Sequence, residues 1–384
     1  MDTRVAPVSR LPGTGTSIFS VMTRLASDHG AINLSQGFPD FDCAPELVDL
    51  VREWLGRGQN QYAPMAGVPA LREAIARKTA DHYGATYDPQ TEVTVTAGAT
   101  EALFSAITAL VHPGDEVVLF EPCYDSYVPA VQLAGGVPRF VTLRYPDYRV
   151  DWDEVRRAVT GRTRLIVVNS PHNPTGAVLD AGDLAQLAAL CDGTPIVTVS
   201  DEVYEHLVYD GRRHASLAGA PALASRAAVI SSFGKTFHTT GWKVGYVLAP
   251  AAISAEIQRV HQFVTFAVNT PVQHAYAEFL ARGVDFGEVT RFYQAKRDRF
   301  LALLEGSRFR PVPCRGTYFQ LLDYSAISAE RDTELARRLL VEHGVASIPT
   351  SAFLYRDAHP PVLRFCFAKR DDTLARAAER LRAV

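Results

Sequence analysis

Lysine is scarce in this chain. Of 39 basic side chains in 384 residues only five are lysine, at 78, 235, 243, 296 and 369. A lysine inside a chemical motif therefore stands out from a thin background. Strong charge of either sign is also missing, with 42 acidic side chains against the 39 basic ones and a formal net charge of -3. There is no basic run and no acidic tail, which removes the electrostatic footprint of a nucleic-acid binder. No stretch approaches the roughly 20 apolar residues that span a bilayer. The N-terminal MDTRVAPVSRLPGTG lacks the apolar core of a secretion signal. The five cysteines are widely spaced, odd in number and form no CxxC pair, which argues for reduced thiols and against a zinc site. Internal repeats and low-complexity tracts are absent. At this length roughly three quarters of the unfolded surface can be buried without disulfides or metals. A soluble, cytoplasmic globular protein with no nucleic-acid or membrane partner is expected.

What is present is an ordered series of short apolar runs. Residues 93–97, 116–120, 165–169, 196–200, 228–232 and 244–249 are rich in valine and isoleucine and alternate with helical segments. This pattern predicts the buried strands of a mainly parallel sheet. Further helices are expected near 17–28 and 70–83. After about residue 285 the pattern changes: 287–305 reads as a long amphipathic helix. Strands at 318–322 and 362–367 with helices near 330–343 and 371–383 suggest a smaller α+β domain. The expected division is an N-terminal arm, 1–45, that contributes to the small domain, a large domain, 46–285, and a small C-terminal domain, 286–384.

In open α/β sheets ligands bind beyond the carboxyl ends of the strands, and here those ends carry polar or glycine-rich groups. Lys235 lies just past a strand, where burial lowers a lysine's pKa and frees its amine as a nucleophile. Lys243 adds a second cation and Ser232 a hydroxyl, a combination suited to a carbonyl cofactor that also carries a phosphate. Taken alone, the two lysines could equally be snorkelling surface side chains. Gly98, Ala99 and Thr100 open a helix whose free N–H groups make a phosphate site, or are simply its cap. Asp201, at the end of a buried strand, needs a partner; a protonated ring nitrogen would serve, and a helix N-cap is the alternative. Tyr204 follows three residues later. Asn173 sits in Pro-His-Asn-Pro-Thr-Gly, an unusual turn with or without chemistry. Tyr124 could stack on a planar ring or be core. Arg364, inside an apolar strand, must be paired, either with a substrate carboxylate or in an internal salt bridge. Lys78, Lys296 and Lys369 belong to no motif and read as ordinary.

Together these segments resemble the fold-type I pyridoxal-phosphate aminotransferases of the class I/II group, over essentially the whole chain from Leu34-Ser35-Gln36-Gly37-Phe38-Pro39-Asp40 to Arg364. The wording at 61–65, 95–102 and 231–236 is most similar to the kynurenine aminotransferase/glutamine transaminase K branch and to bacterial methionine aminotransferases. The resemblance implies an aspartate-aminotransferase-like fold, with a mainly parallel seven-stranded sheet sandwiched by helices and a smaller α+β domain. It also implies pyridoxal 5'-phosphate as cofactor. Lys235 would bond to its aldehyde carbon, Asp201 would pair with the ring nitrogen, and Tyr204 and Asn173 would contact the phenolic oxygen. Tyr124 would stack on the ring. Ala99, Thr100, Ser232, Lys243 and the partner subunit's Tyr62 would hold the phosphate. Arg364, with Asn173 and the backbone at Gly37, would grip the substrate carboxylate. Lys243 stands where many class members have arginine; the kynurenine branch, like this chain, has lysine there.

The implied reaction is ping-pong transamination between a neutral amino acid, methionine or aromatic in type, and a 2-oxo acid. A C–S β-lyase on the same fold uses the same motifs. A binding protein that merely kept the fold is disfavoured by the intact Lys235 and Asp201, and a nicotinamide dehydrogenase by the lack of GxGxxG at Gly98. Tyr62 implies a homodimer with composite sites. Phe19, Phe38 and aromatics in 261–268 are candidates for the substrate pocket. Cis peptide bonds are expected at Glu121-Pro122 and Asn173-Pro174.

Overall fold

A computed structural model describes residues 8–384; the first seven residues of the expected N-terminal arm lie outside it. The centre is a seven-stranded sheet of β1 (Val93–Thr96), β2 (Glu116–Glu121), β3 (Val137–Thr142), β4 (Thr163–Asn169), β5 (Val197–Asp201), β6 (Ala227–Ser232) and β7 (Gly245–Leu248). Their spatial order is β1-β7-β6-β5-β4-β2-β3. All neighbours run parallel except β7, which is antiparallel to both β1 and β6. Val118, Ile166 and Val168 enter one apolar cluster, while Val117, Leu119, Leu165 and Val167 enter another. That alternation buries both faces of the sheet, which is why the strands read as continuous apolar runs.

Six strands match the apolar runs of the sequence. The seventh, β3, has no such run: Pro138 and Arg139 interrupt it and its first half is partly exposed. It lies at the sheet edge, where proline and charge are tolerated and deter further pairing.

Three helices place the functional segments: α1 (Ile18–Asp28), α2 (Pro69–Tyr83) and α3 (Gly98–Leu110). Ser17 caps α1 by accepting from the Ser20 N–H. Beyond the sheet follow α4 (Phe286–Leu303), then β8 (Arg310–Pro311), β9 (Phe319–Asp323), α5 (Asp332–His343), β10 (Ile348–Pro349), β11 (Val362–Cys366) and α6 (Asp371–Arg382). The four strands form a second, antiparallel sheet in the order β10-β11-β9-β8. A separate apolar core joins Met22 and Leu34 from the N-terminal segment to Phe300, Leu339, Phe365 and Leu374. Ile32 and Asn33 also pair in parallel with Val345 and Ala346, so the two ends of the chain share one layer. Among the described residues no helix is long and apolar enough to cross a membrane.

Both expected cis bonds are present, at Glu121-Pro122 and Asn173-Pro174, together with two more at Tyr145-Pro146 and Ser170-Pro171.

Candidate active site

The carboxyl ends of β4, β5 and β6 and the start of α3 open on one cavity of about 230 Å³. It gathers every residue named from the sequence for the cofactor or the substrate carboxylate except Tyr62. The glycine-rich side is contributed by Gly98, Ala99 and Thr100, the polar floor by Asn173, Asp201 and Tyr204, and the cations by Lys235, Lys243 and Arg364. Gly37, Tyr124 and Ser232 complete it.

At one end is a cradle for an anion. Gly98 has φ +77°, and a Cβ placed there would meet the Lys243 Nζ at 3.2 Å and its Cε at 3.3 Å. A side chain at 98 would fill the space between the helix start and the ammonium. The N-terminal N–H groups of α3 and the Lys243 cation thus converge, as phosphate recognition requires. Ser232 borders the same space and caps the short helix Phe233–Thr236, accepting from the Gly234 N–H at 3.2 Å.

Asp201 closes the opposite side. The register sets Asn169 beside it, at the ends of β4 and β5. Its Oδ2 accepts from the Tyr127 hydroxyl at 2.6 Å and its Oδ1 from the Val203 N–H at 3.3 Å. Burial pushes the carboxyl up to about 6, against the pull of those two donors. A buried carboxylate held this way by neutral groups favours a cationic partner. Tyr204 is buried and its phenol is driven well above its ordinary value by desolvation. Tyr124 meets Tyr127 edge-on, ring centroids 5.7 Å apart.

A hydrogen-bonded line runs from Asp201 to Arg364. The Asn169 amide donates to the Asp201 carbonyl at 2.8 Å, and its oxygen accepts from the Asn173 N–H at 2.8 Å. The Asn173 Oδ1 accepts from Arg364 at 2.7 Å, and a second Arg364 nitrogen donates to the Ser35 carbonyl at 2.9 Å. Arg364 is fully buried, its guanidinium 3.8 Å from the Phe319 ring centroid. Burial pushes it down to about 10, so it stays charged at neutral pH. Among the described residues its hydrogen bonds go to Asn173 and Ser35 and to no carboxylate, and its Nε has no partner. The internal salt bridge allowed by the sequence is not formed, and the cation is left for a bound carboxylate.

Lys235 lies between these ends. Its Nζ donates to the Tyr318 hydroxyl at 2.8 Å and to the Gly37 carbonyl at 3.2 Å. Burial pushes the amine down to about 8; the nearby Arg364 and Lys243 act in the same direction, while Cys366 and Asp201 oppose.

Tyr127, Asn169 and Tyr318 were not found from the sequence. Tyr127 is three residues after Tyr124, a spacing that could have suggested it. Asn169 was read only as a strand end, and Tyr318, 83 residues from Lys235, carries no local signal. Phe19 lines the cavity, but Phe38 stands outside it, its ring 4.6 Å from the Lys369 amine. Phe263 and Phe266 are exposed, and Tyr62, 84% exposed, packs edge-on against Phe266. Two lysines read as ordinary are not. Lys369 is buried and donates to the Phe38 carbonyl, and Lys78 is buried against Glu205.

A model of the family described as aminotransferase class I and II matches residues 29–381. The methionine aminotransferase of Escherichia coli (strain K12) is 52% identical over 379 residues, covering 98% of each chain. A probable N-succinyldiaminopimelate aminotransferase of Mycobacterium tuberculosis is 43% identical over 387 residues, covering 97% of each. In three dimensions the chain matches the crystal structure of YbdL from Escherichia coli, reported to have a methionine aminotransferase function. That match has a TM-score of 0.97 at 50% identity, covering 99% of this chain and all of the other.

Proposed function

The chain belongs to the class I and II aminotransferases, and we propose that it serves methionine or aromatic-type amino acids and a 2-oxo acid in the cytoplasm, with pyridoxal 5'-phosphate. The observation that carries this reading is one cavity holding Lys235, Asp201 and Arg364 around an anion cradle. The residues fit the cofactor: the cradle that a Cβ at 98 would fill suits its phosphate, and the enclosed Asp201 carboxylate suits its ring nitrogen. When bound, the cofactor supplies an electron sink and carries the amino group between the two half-reactions.

The chain's own groups then have distinct tasks. Asp201, ionised at neutral pH, would keep a proton on the ring nitrogen. Tyr204 and Asn173 would hold the phenolic oxygen and Tyr124 would cover the ring face. Arg364 takes the substrate carboxylate by charge-assisted hydrogen bonds. The Lys235 amine would take the proton from Cα of the amino donor in the first half-reaction and deliver one to Cα of the new amino acid in the second.

Charge argues for a neutral substrate side chain. Among the described residues the cavity has three cations, Lys235, Lys243 and Arg364, and each is already engaged. A further carboxylate, as in N-succinyldiaminopimelate, would be buried without a partner. The Escherichia coli relative named for methionine supports the same choice. The exposed Tyr62, edge-on to Phe266, supports a homodimer in which each subunit lends Tyr62 to the other's phosphate cradle. The large domain (46–285) and small domain (286–384 with the N-terminal arm) remain part of this reading.

The test is a panel of amino donors with several oxo-acid acceptors, ranked by kcat/KM. Methionine and aromatic donors should lead acidic ones by at least roughly tenfold, since a buried unpaired carboxylate is costly. A preference for an acidic donor would overturn the substrate reading. Pyruvate and ammonia from cystathionine without any acceptor would favour the β-lyase.

A further inference from the structure

Tyr318 fits none of the roles above, yet it is the nearest side-chain partner of the Lys235 amine, at 2.8 Å. It is fully buried, edge-on to Tyr204 with ring centroids 5.1 Å apart, and packed against Tyr293 and Phe319. Its placement is over-determined. Thr317, just before it, holds a left-handed φ of 68°, unfavourable for a β-branched residue. Hydrogen bonds from the Thr317 N–H to Leu207 and from the Tyr209 hydroxyl to the Thr317 carbonyl fix that residue. The Tyr318 hydroxyl donates to the Gly37 carbonyl, so it can only accept from Lys235. Gly37 admits this approach because it has no side chain: a Cβ there would lie 2.5 Å from the Phe319 ring.

We propose that Tyr318 is a positioning residue for Lys235, its hydroxyl and the Gly37 carbonyl taking both N–H bonds of the neutral amine and so aiming the lone pair into the cavity. This rests on Lys235 being the proton-moving group. A neutral primary amine has two N–H bonds and one lone pair; with both N–H bonds engaged by acceptors outside the reaction space, the lone pair is left for the substrate Cα. On taking up that proton the amine gains a third N–H, and it reverts when the proton is passed on. Both acceptors belong to segments outside the seven-stranded sheet, Gly37 before α2 and Tyr318 before β9, whereas Lys235 follows β6.

The test reads Lys235 itself. The groups around it are Asp201 at the end of β5, Tyr204, Lys243 before β7, Arg364 and Cys366 of β11, and Tyr318; Tyr318→Phe removes only the Tyr318 hydroxyl, which also meets Tyr204. In cofactor-free protein, acylation of Lys235 by acetic anhydride is followed against pH by peptide mass spectrometry. Tyr318→Phe removes an acceptor that favours the charged amine most, so the midpoint should move down by about one pH unit. In the loaded enzyme kcat should fall roughly ten- to a hundredfold with KM for the amino donor within about twofold. Replacing Tyr318 by 3-fluorotyrosine keeps the packing while weakening the acceptor, and should give a smaller shift in the same direction. An unchanged midpoint in folded Tyr318→Phe overturns the proposal, whatever happens to kcat. If Tyr318→Phe does not fold, an unchanged midpoint in the fluorotyrosine protein overturns it in its place. Lys235→Ala that still transaminates would instead overturn the underlying assignment of Lys235.

Discussion

Two lysines meet the end of β6 in opposite ways. Ser231 and Ser232 are consecutive and point to opposite faces of the sheet. On the Ser232 face Lys235 borders the cavity, and its bonds go to neutral oxygens, Tyr318 and the Gly37 carbonyl. On the Ser231 face Lys78 lies 2.5 Å from Glu205 and donates to the Tyr246 hydroxyl at 2.7 Å. Tyr83 and Ser231 also donate to Glu205. Burial raises the Glu205 carboxyl, but the Lys78 ammonium, His206 and these donors outweigh it and hold the group well below its usual range. The same residue type is thus a locked structural ion on one side and an amine poised to react on the other. The difference lies in whether a carboxylate is within contact distance.

The comparison is broken most severely by removing the reactive member. Lys235→Ala should lower kcat roughly 10⁴-fold and abolish borohydride fixation of the cofactor to the chain, while thermal stability changes little. Lys78→Met should do the reverse. It leaves Glu205 buried without its cation and should cost about 3–5 kcal/mol of stability in denaturant unfolding. The double change Lys78→Met/Glu205→Leu should recover part of that loss. A neutral Lys78→Met would mean that the pair is not what holds this face.

The smallest effect is on pH dependence, and it sharpens the contrast. Lys235 is pushed down to about 8. From about pH 8 to the ordinary lysine value the folded chain has released a proton that the unfolded chain still holds, so stability of the cofactor-free protein should rise with pH across that window. Asp201 works in the opposite sense. Pushed up to about 6, it keeps a proton that the unfolded chain has lost from about pH 4 upward, so stability should fall as pH rises from 4 to 6. Unfolding curves against pH for Lys235→Met and Asp201→Asn should each lose the corresponding slope.

Most of the sheet and the cavity was legible because both are written in local runs. An apolar stretch followed by Gly98, Asn173, Asp201 or Lys235 carries its position and its chemistry in neighbouring residues. What escaped depends on distant parts of the chain meeting. Lys78 is on α2 and its carboxylate 127 positions later follows β5. Tyr318 and Gly37 are separated by most of the sequence. The Arg364 alternatives could be separated only by seeing which groups surround it. The edge strand β3 was missed because its exposed half has no reason to be apolar.

The line from Asp201 through Asn169 and Asn173 to Arg364 has a further consequence. It acts as a fixed ruler, setting the span between Asp201 and the group proposed to take the carboxylate, and its members are two strand ends, one turn and, at Arg364, the middle of β11. Phe19, by contrast, reaches the cavity from α1, a short amphipathic helix, and touches Phe353 at 5.9 Å between ring centroids. Reaction geometry and side-chain choice are therefore carried by separable stretches of chain. Drift in α1 can retune which amino acid fits while the ruler, and the chemistry it measures out, stays as it is.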